Sequence, residues 1–96
     1  MHAMIRSYSG AGATELFDLL SERKAEVEEI LRDVPGLVSY ALMRTSDGGA
    51  TITICQDSSG TEESLKRAKA WLQENAAHLG TPPQVQEGPV ELQFSV

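Results

Sequence analysis

The chain has one cysteine, Cys55, in 96 residues. A lone thiol rules out an internal disulfide framework. Basic residues are scarce: 8 Lys and Arg against 14 Asp and Glu, a formal net charge of −6. An acidic domain without a basic stripe argues against nucleic acid and anionic membrane surfaces as partners. No apolar run approaches the ~18–20 residues of a membrane span. Met1-His-Ala-Met-Ile-Arg6 has no charged segment leading into an apolar one, so no secretory signal is expected. His2, His78 and Cys55 are scattered and lack metal-ligand spacing. These absences predict a cytoplasmic protein with no metal, folding as a single domain over residues 1–96.

The pattern of elements is legible. Residues 3–8 read as a short strand. Residues 13–33 carry Leu16, Leu20, Val27 and Leu31 near a 3.6 period, which predicts a helix with Gly12 as N-cap, ended by Val34-Pro-Gly36. Leu37–Thr45 and Ala50–Gln56 flank Ser46-Asp-Gly-Gly49. Asp-Gly between two β-rich runs predicts a hairpin with a type I′ turn. Ser59-x-x-Glu62 resembles a capping box opening a second helix over 61–79. Its stripe is Leu65, Ala68, Leu72, Ala76 and Leu79, with Trp71 alongside and Gly80 as C′ residue. Residues 81–88 read as a connector. Val90-Glu-Leu-Gln-Phe-Ser-Val96 alternates apolar and polar, the mark of a half-buried strand. The order βαββαβ predicts a ferredoxin-like α+β sandwich: a four-stranded antiparallel sheet with two helices on one face.

A two-residue Asp47-Gly48 turn pairs Thr45 with Ala50, Met43 with Ile52 and Ala41 with Ile54. This apolar set, with Ala3, Ile5, Val90, Leu92 and Phe94, is expected under the helices. The bare face then collects Met4, Tyr8, Tyr40, Leu42, Thr51, Thr53 and Cys55 among Arg6, Arg44, Glu91 and Gln93. Exposed mixed faces of this kind mark interaction surfaces, and an isologous homodimer is expected there. Tyr40, Leu42, Cys55, Thr53, Glu91 and Gln93 are its candidate interface residues. Tyr40→Glu is expected to break the dimer.

In element order, in Val34-Pro-Gly-Leu-Val-Ser-Tyr40 and in Arg44-Thr-Ser-Asp-Gly-Gly49, the chain resembles the dimeric α/β-barrel superfamily. That superfamily includes the antibiotic-biosynthesis-monooxygenase-like (ABM-like) domains. The resemblance implies a ligand held between sheet and helices or within the barrel. Its haem-degrading members use an asparagine on the first strand, which residues 2–8 lack, so haem chemistry is not expected and no cofactor is called for.

Five side chains are candidate ligand contacts. Tyr8 and Tyr40 can donate to a substrate oxygen, Arg6 and Arg44 can clamp a carboxylate, and Trp71 can line a cleft. Each also has a plainer reading, as packing, surface ion pair or core. Cys55 reads as a small apolar strand residue, and His78 as a cation near a helix end. Ser9-Gly-Ala-Gly-Ala-Thr14 lacks the lysine of a phosphate-binding loop and reads as a strand-to-helix turn. Three functions remain open. The first is a binder of a small apolar or aromatic molecule. The second is a cofactor-independent monooxygenase-like or isomerase-like enzyme on a quinol- or phenol-like substrate. The third is a protein-interaction module using the open sheet face.

Overall fold

The computed structural model describes residues 1–79 and 82–96. It contains strand β1 (His2–Ser9), helices α1 (Ala13–Glu22) and α2 (Lys24–Leu31), strands β2 (Leu37–Thr45) and β3 (Gly48–Cys55), helix α3 (Ser58–Asn75), a 3-10 turn (Ala77–Leu79) and strand β4 (Gln84–Pro89). The sheet order is β2-β3-β1-β4, with every neighbouring pair antiparallel. The helices lie on one face, the ferredoxin-like α+β arrangement. Among the described residues no helix is long and apolar enough to cross a membrane.

The first helical run is two helices. It breaks at Arg23 (φ −113°, ψ 27°), whose N–H still reaches the Leu19 carbonyl. The guanidinium turns inward, 5.2 Å from the centre of the Trp71 ring, and donates to Asn75 Oδ1 at 2.9 Å. The break lets Leu16, Phe17 and Leu20 of α1 and Val27 and Leu31 of α2 all reach the core. Gly12 caps α1, with φ +84°. Asp57, rather than Ser59, caps α3: its carboxylate accepts from the N–H groups of Ser59 and Gly60. The helix stops at Asn75, and Gly80 lies outside the described residues.

The hairpin forms with a different turn. Thr45 pairs with Gly48, Met43 with Ala50 and Ala41 with Ile52, two residues away from the expected register. Ser46 and Asp47 make the turn, and neither Asp47 nor Gly48 has positive φ. The glycines serve clearance instead. A Cβ on Gly48 would meet the Tyr8 carbonyl oxygen, and one on Gly49 would enter the Phe17 ring. Helix α1 can approach β3 only because both positions lack a side chain.

Two expectations are corrected. The fourth strand is Gln84–Pro89, drawn almost wholly from the expected connector, and not residues 90–96. Val85 opposes Arg6 and Glu87 opposes Met4, and His2 Nε2 sits 2.9 Å from Glu87 Oε1. Backbone pairing with the free edge of β1 outweighs the poor β composition, and an edge strand tolerates glycine and proline. The alternating tail makes one backbone bond, Val90 N–H to the Met1 carbonyl. Beyond it Leu92 and Phe94 are 78% and 73% exposed.

The second correction inverts the sheet. Met4, Arg6, Tyr8, Tyr40, Leu42, Thr51, Thr53 and Cys55 lie beneath the helices, while Ala3, Ile5, Ser7, Ala41, Met43, Ile52 and Ile54 share the open face. Tyr40, Leu42, Thr53 and Cys55 are therefore not on the surface where the interface was expected, and Glu91 and Gln93 belong to the tail. Hydropathy ranked the faces wrongly because tyrosine, threonine and arginine bury their carbon while holding a polar end inside.

Candidate functional site

Alternation along β1 puts Met4, Arg6 and Tyr8 on the covered face. Pairing then aligns Arg6 with Thr51, and Thr51 with Leu42. The rows on either side carry Tyr8 and Tyr40. Leu20 of α1, Val27, Ile30 and Leu31 of α2, and Ala68, Trp71 and Leu72 of α3 close over this row. With Arg6, Tyr8, Tyr40 and Thr51 they line a cavity of about 20 Å³. That is room for about one water molecule. A wider cleft of about 300 Å³ runs between α2 and β2 and shares Val27, Leu31 and Tyr40 with the cavity. A volume of this order is what a small ligand occupies.

Arg6 is 2% exposed. Among the described residues no carboxylate pairs with it: the ion pairs of this chain use Arg23, Arg32, Arg44, Arg67 and His2. Burial raises the Tyr8 phenol above its ordinary pKa, and the nearby Arg6 charge holds the rise back. Burial raises the Tyr40 phenol too, with Arg6 again opposing. Both phenols therefore stay neutral donors at neutral pH. The Thr51 hydroxyl lies near Tyr40 but makes no aligned hydrogen bond, and its buried Oγ1 has no partner.

Trp71 is held from outside. Its indole N–H donates to Glu26 Oε1 at 3.4 Å, and Arg23 binds both oxygens of Glu26 at 2.6 and 2.8 Å. The Tyr8 and Phe17 rings pack at 5.6 Å between centroids, tilted by 59°.

Four of the five candidate ligand contacts, Arg6, Tyr8, Tyr40 and Trp71, thus meet at one cavity. Arg44 does not: it pairs with Asp18 of α1 at 2.9 Å on the surface. Sequence reasoning passed over Thr51, although it stands opposite Arg6, because the β1–β3 pairing joins distant parts of the chain and leaves no local signal. Cys55 is fully buried, and burial raises its thiol pKa, as suits a packing residue. Neither histidine lines the cavity, and among the described residues no group of three His, Cys, Asp or Glu side chains could hold a metal.

No family model and no curated protein matches the sequence. Solved structures match the fold. The NE2512 protein of unknown function from Nitrosomonas europaea superposes with a TM-score of 0.73 at 17% identity, over 99% of this chain and 92% of the other. The haem-degrader MhuD from Mycobacterium tuberculosis, solved with two haems in its active site, gives 0.68 at 19% identity, over 99% and 100%. A monooxygenase from the gene ActVA-Orf6 of Streptomyces coelicolor, solved with nanaomycin D, gives 0.62 at 20% identity, over 99% and 91%. This chain has the fold of the ABM-like dimeric α/β-barrel proteins.

Proposed function

We propose that the protein binds a small apolar or aromatic molecule between its sheet and its helices. One observation carries this reading: Arg6, Tyr8, Tyr40 and Trp71, from two strands and a helix, converge on a single apolar cavity that adjoins a ligand-sized cleft. The ligand body occupies the α2–β2 cleft and its polar end passes Tyr40. Two fold neighbours hold flat aromatic ligands, haem and nanaomycin D, which supports the class of molecule. Trp71 is the only tryptophan, so its emission reports on the cavity. Titration with 2-naphthoate, 2-naphthamide and 4-nitrophenol is expected to give saturable binding, followed by heat and by Trp71 emission. No saturation by any of these probes would overturn the pocket.

We also infer a homodimer through the open sheet face. Ile5 and Met43 are exposed there beside Ala41, Ile52 and Ile54. The amphipathic tail leaves Leu92 and Phe94 without cover in one chain. A fold neighbour is described as a dimeric ferredoxin-like protein. Ile52→Glu is expected to halve the mass in sedimentation, because it places a charge on a surface that becomes dry. A variant that sediments as wild type removes this interface. A buried, unbridged thiol at Cys55 suits a reducing compartment such as the cytoplasm.

A further inference from the structure

The covered side of the sheet holds a positive charge with no negative one beside it. Arg6 is as buried as the leucines around it, yet among the described residues no Asp or Glu reaches it. The surface arginines of this chain do find carboxylates: Arg67 contacts both Glu63 and Asp33, and Arg23 takes Glu26. A guanidinium loses its hydration on burial, and neutral phenols return only part of it. Across the strand, Thr51 Oγ1 is also buried and makes no well-aligned hydrogen bond, with the Tyr40 phenol its nearest polar neighbour. Both groups line the same cavity, between two phenols that stay protonated as donors.

Resting on the binding-pocket reading above, we propose that the ligand is an acid: an apolar or aromatic body carrying an oxyanion that seats against Arg6, Thr51, Tyr8 and Tyr40. The guanidinium supplies the countercharge. The phenols and the threonine hydroxyl donate to the remaining lone pairs, and the rings around them exclude water. Charge-assisted bonds of this kind are stronger than neutral ones. The body lies in the cleft toward Val27, Leu31 and Leu42. A carboxylate and an ionised phenol present the same chemistry here.

Calorimetry on the wild-type chain decides the point, with 2-naphthoate against its neutral isostere 2-naphthamide. A second pair, 4-nitrophenolate against nitrobenzene, distinguishes a phenolate from a carboxylate as the source of the charge. At least one anion is expected to bind about tenfold or more tightly than its neutral partner. Arg6→Met is expected to abolish that preference while retaining the neutral probe. Thr51→Val is expected to weaken the anion alone. Without ligand, Arg6→Met should melt no lower than wild type, since it removes an uncompensated charge at similar volume. Equal binding of anion and neutral partner by the wild type overturns the acid and leaves the pocket standing. Binding of none of the four probes overturns both. An anion preference that survives in Arg6→Met places the charge elsewhere and also overturns the assignment.

Discussion

Single side chains here do different work from what their types suggest. Gly49 reads as turn chemistry, but its place is taken by the Phe17 ring, which stands where a Cβ would be. Gly49→Ala is expected to cost about 1–3 kcal/mol by forcing α1 off β3, read in a urea titration. Glu26 reads as one acidic residue on a solvated helix face, yet it orients Trp71 and anchors Arg23. The hydrogen bond from Arg23 is the main cause that holds its pKa below the usual carboxylate value. The folded pKa is the lower one, so its stabilisation is present above the ordinary range and is lost as pH falls through the depressed value. Trp71 emission should therefore hold through the ordinary glutamate range and change only at more acid pH. Glu26→Gln should flatten that step. Tyr40→Glu does not test the dimer, because its carboxylate would enter the covered layer beside Arg6 and not the open face.

At the scale of elements, caps and edges decide more than hydropathy. Helix α3 begins where Asp57 binds the N–H groups of Ser59 and Gly60 and the Ser59 hydroxyl. These bonds, the Ser59 side chain first, lower the Asp57 pKa. The cap is made above the ordinary carboxylate range and fails as pH drops through the lowered value. Asp57→Ala should lower the urea midpoint at neutral pH, and the gap from wild type should close in acid. The fourth strand shows the opposite balance. Its Gln-Val-Gln-Glu-Gly-Pro composition is weak, but β1 has a free edge and the backbone takes it. The amphipathic tail, a better strand by pattern, follows β4 without pairing to either outer edge of the sheet, β2 or β4.

At the scale of the molecule, the sheet separates two uses of surface. The covered face carries the polar atoms and the cavity. The open face is plainer and more apolar, which suits contact with a second copy. The two can be tested apart. Ile52→Glu should change sedimentation, while a Tyr40→Phe substitution should leave it unchanged and weaken only probe binding. If Tyr40→Phe dissociated the protein, the division between the faces would be wrong.

The order of elements, the hairpin, the two helical regions and the start of α1 were written in local periodicity and punctuation, because those depend on near neighbours. Four residues that line the cavity stood out as well, since a few tyrosines, arginines and a tryptophan are conspicuous in an otherwise plain chain. Which face they occupy was not. It depends on where Phe17 meets Gly49, a contact between distant parts of the chain. Nor could local pattern show that β4 would form from a glutamine-rich segment, or that Arg6 would be enclosed without a carboxylate. Each of those outcomes is set by what the rest of the fold leaves available: an edge to pair, a surface to cover, a charge to answer.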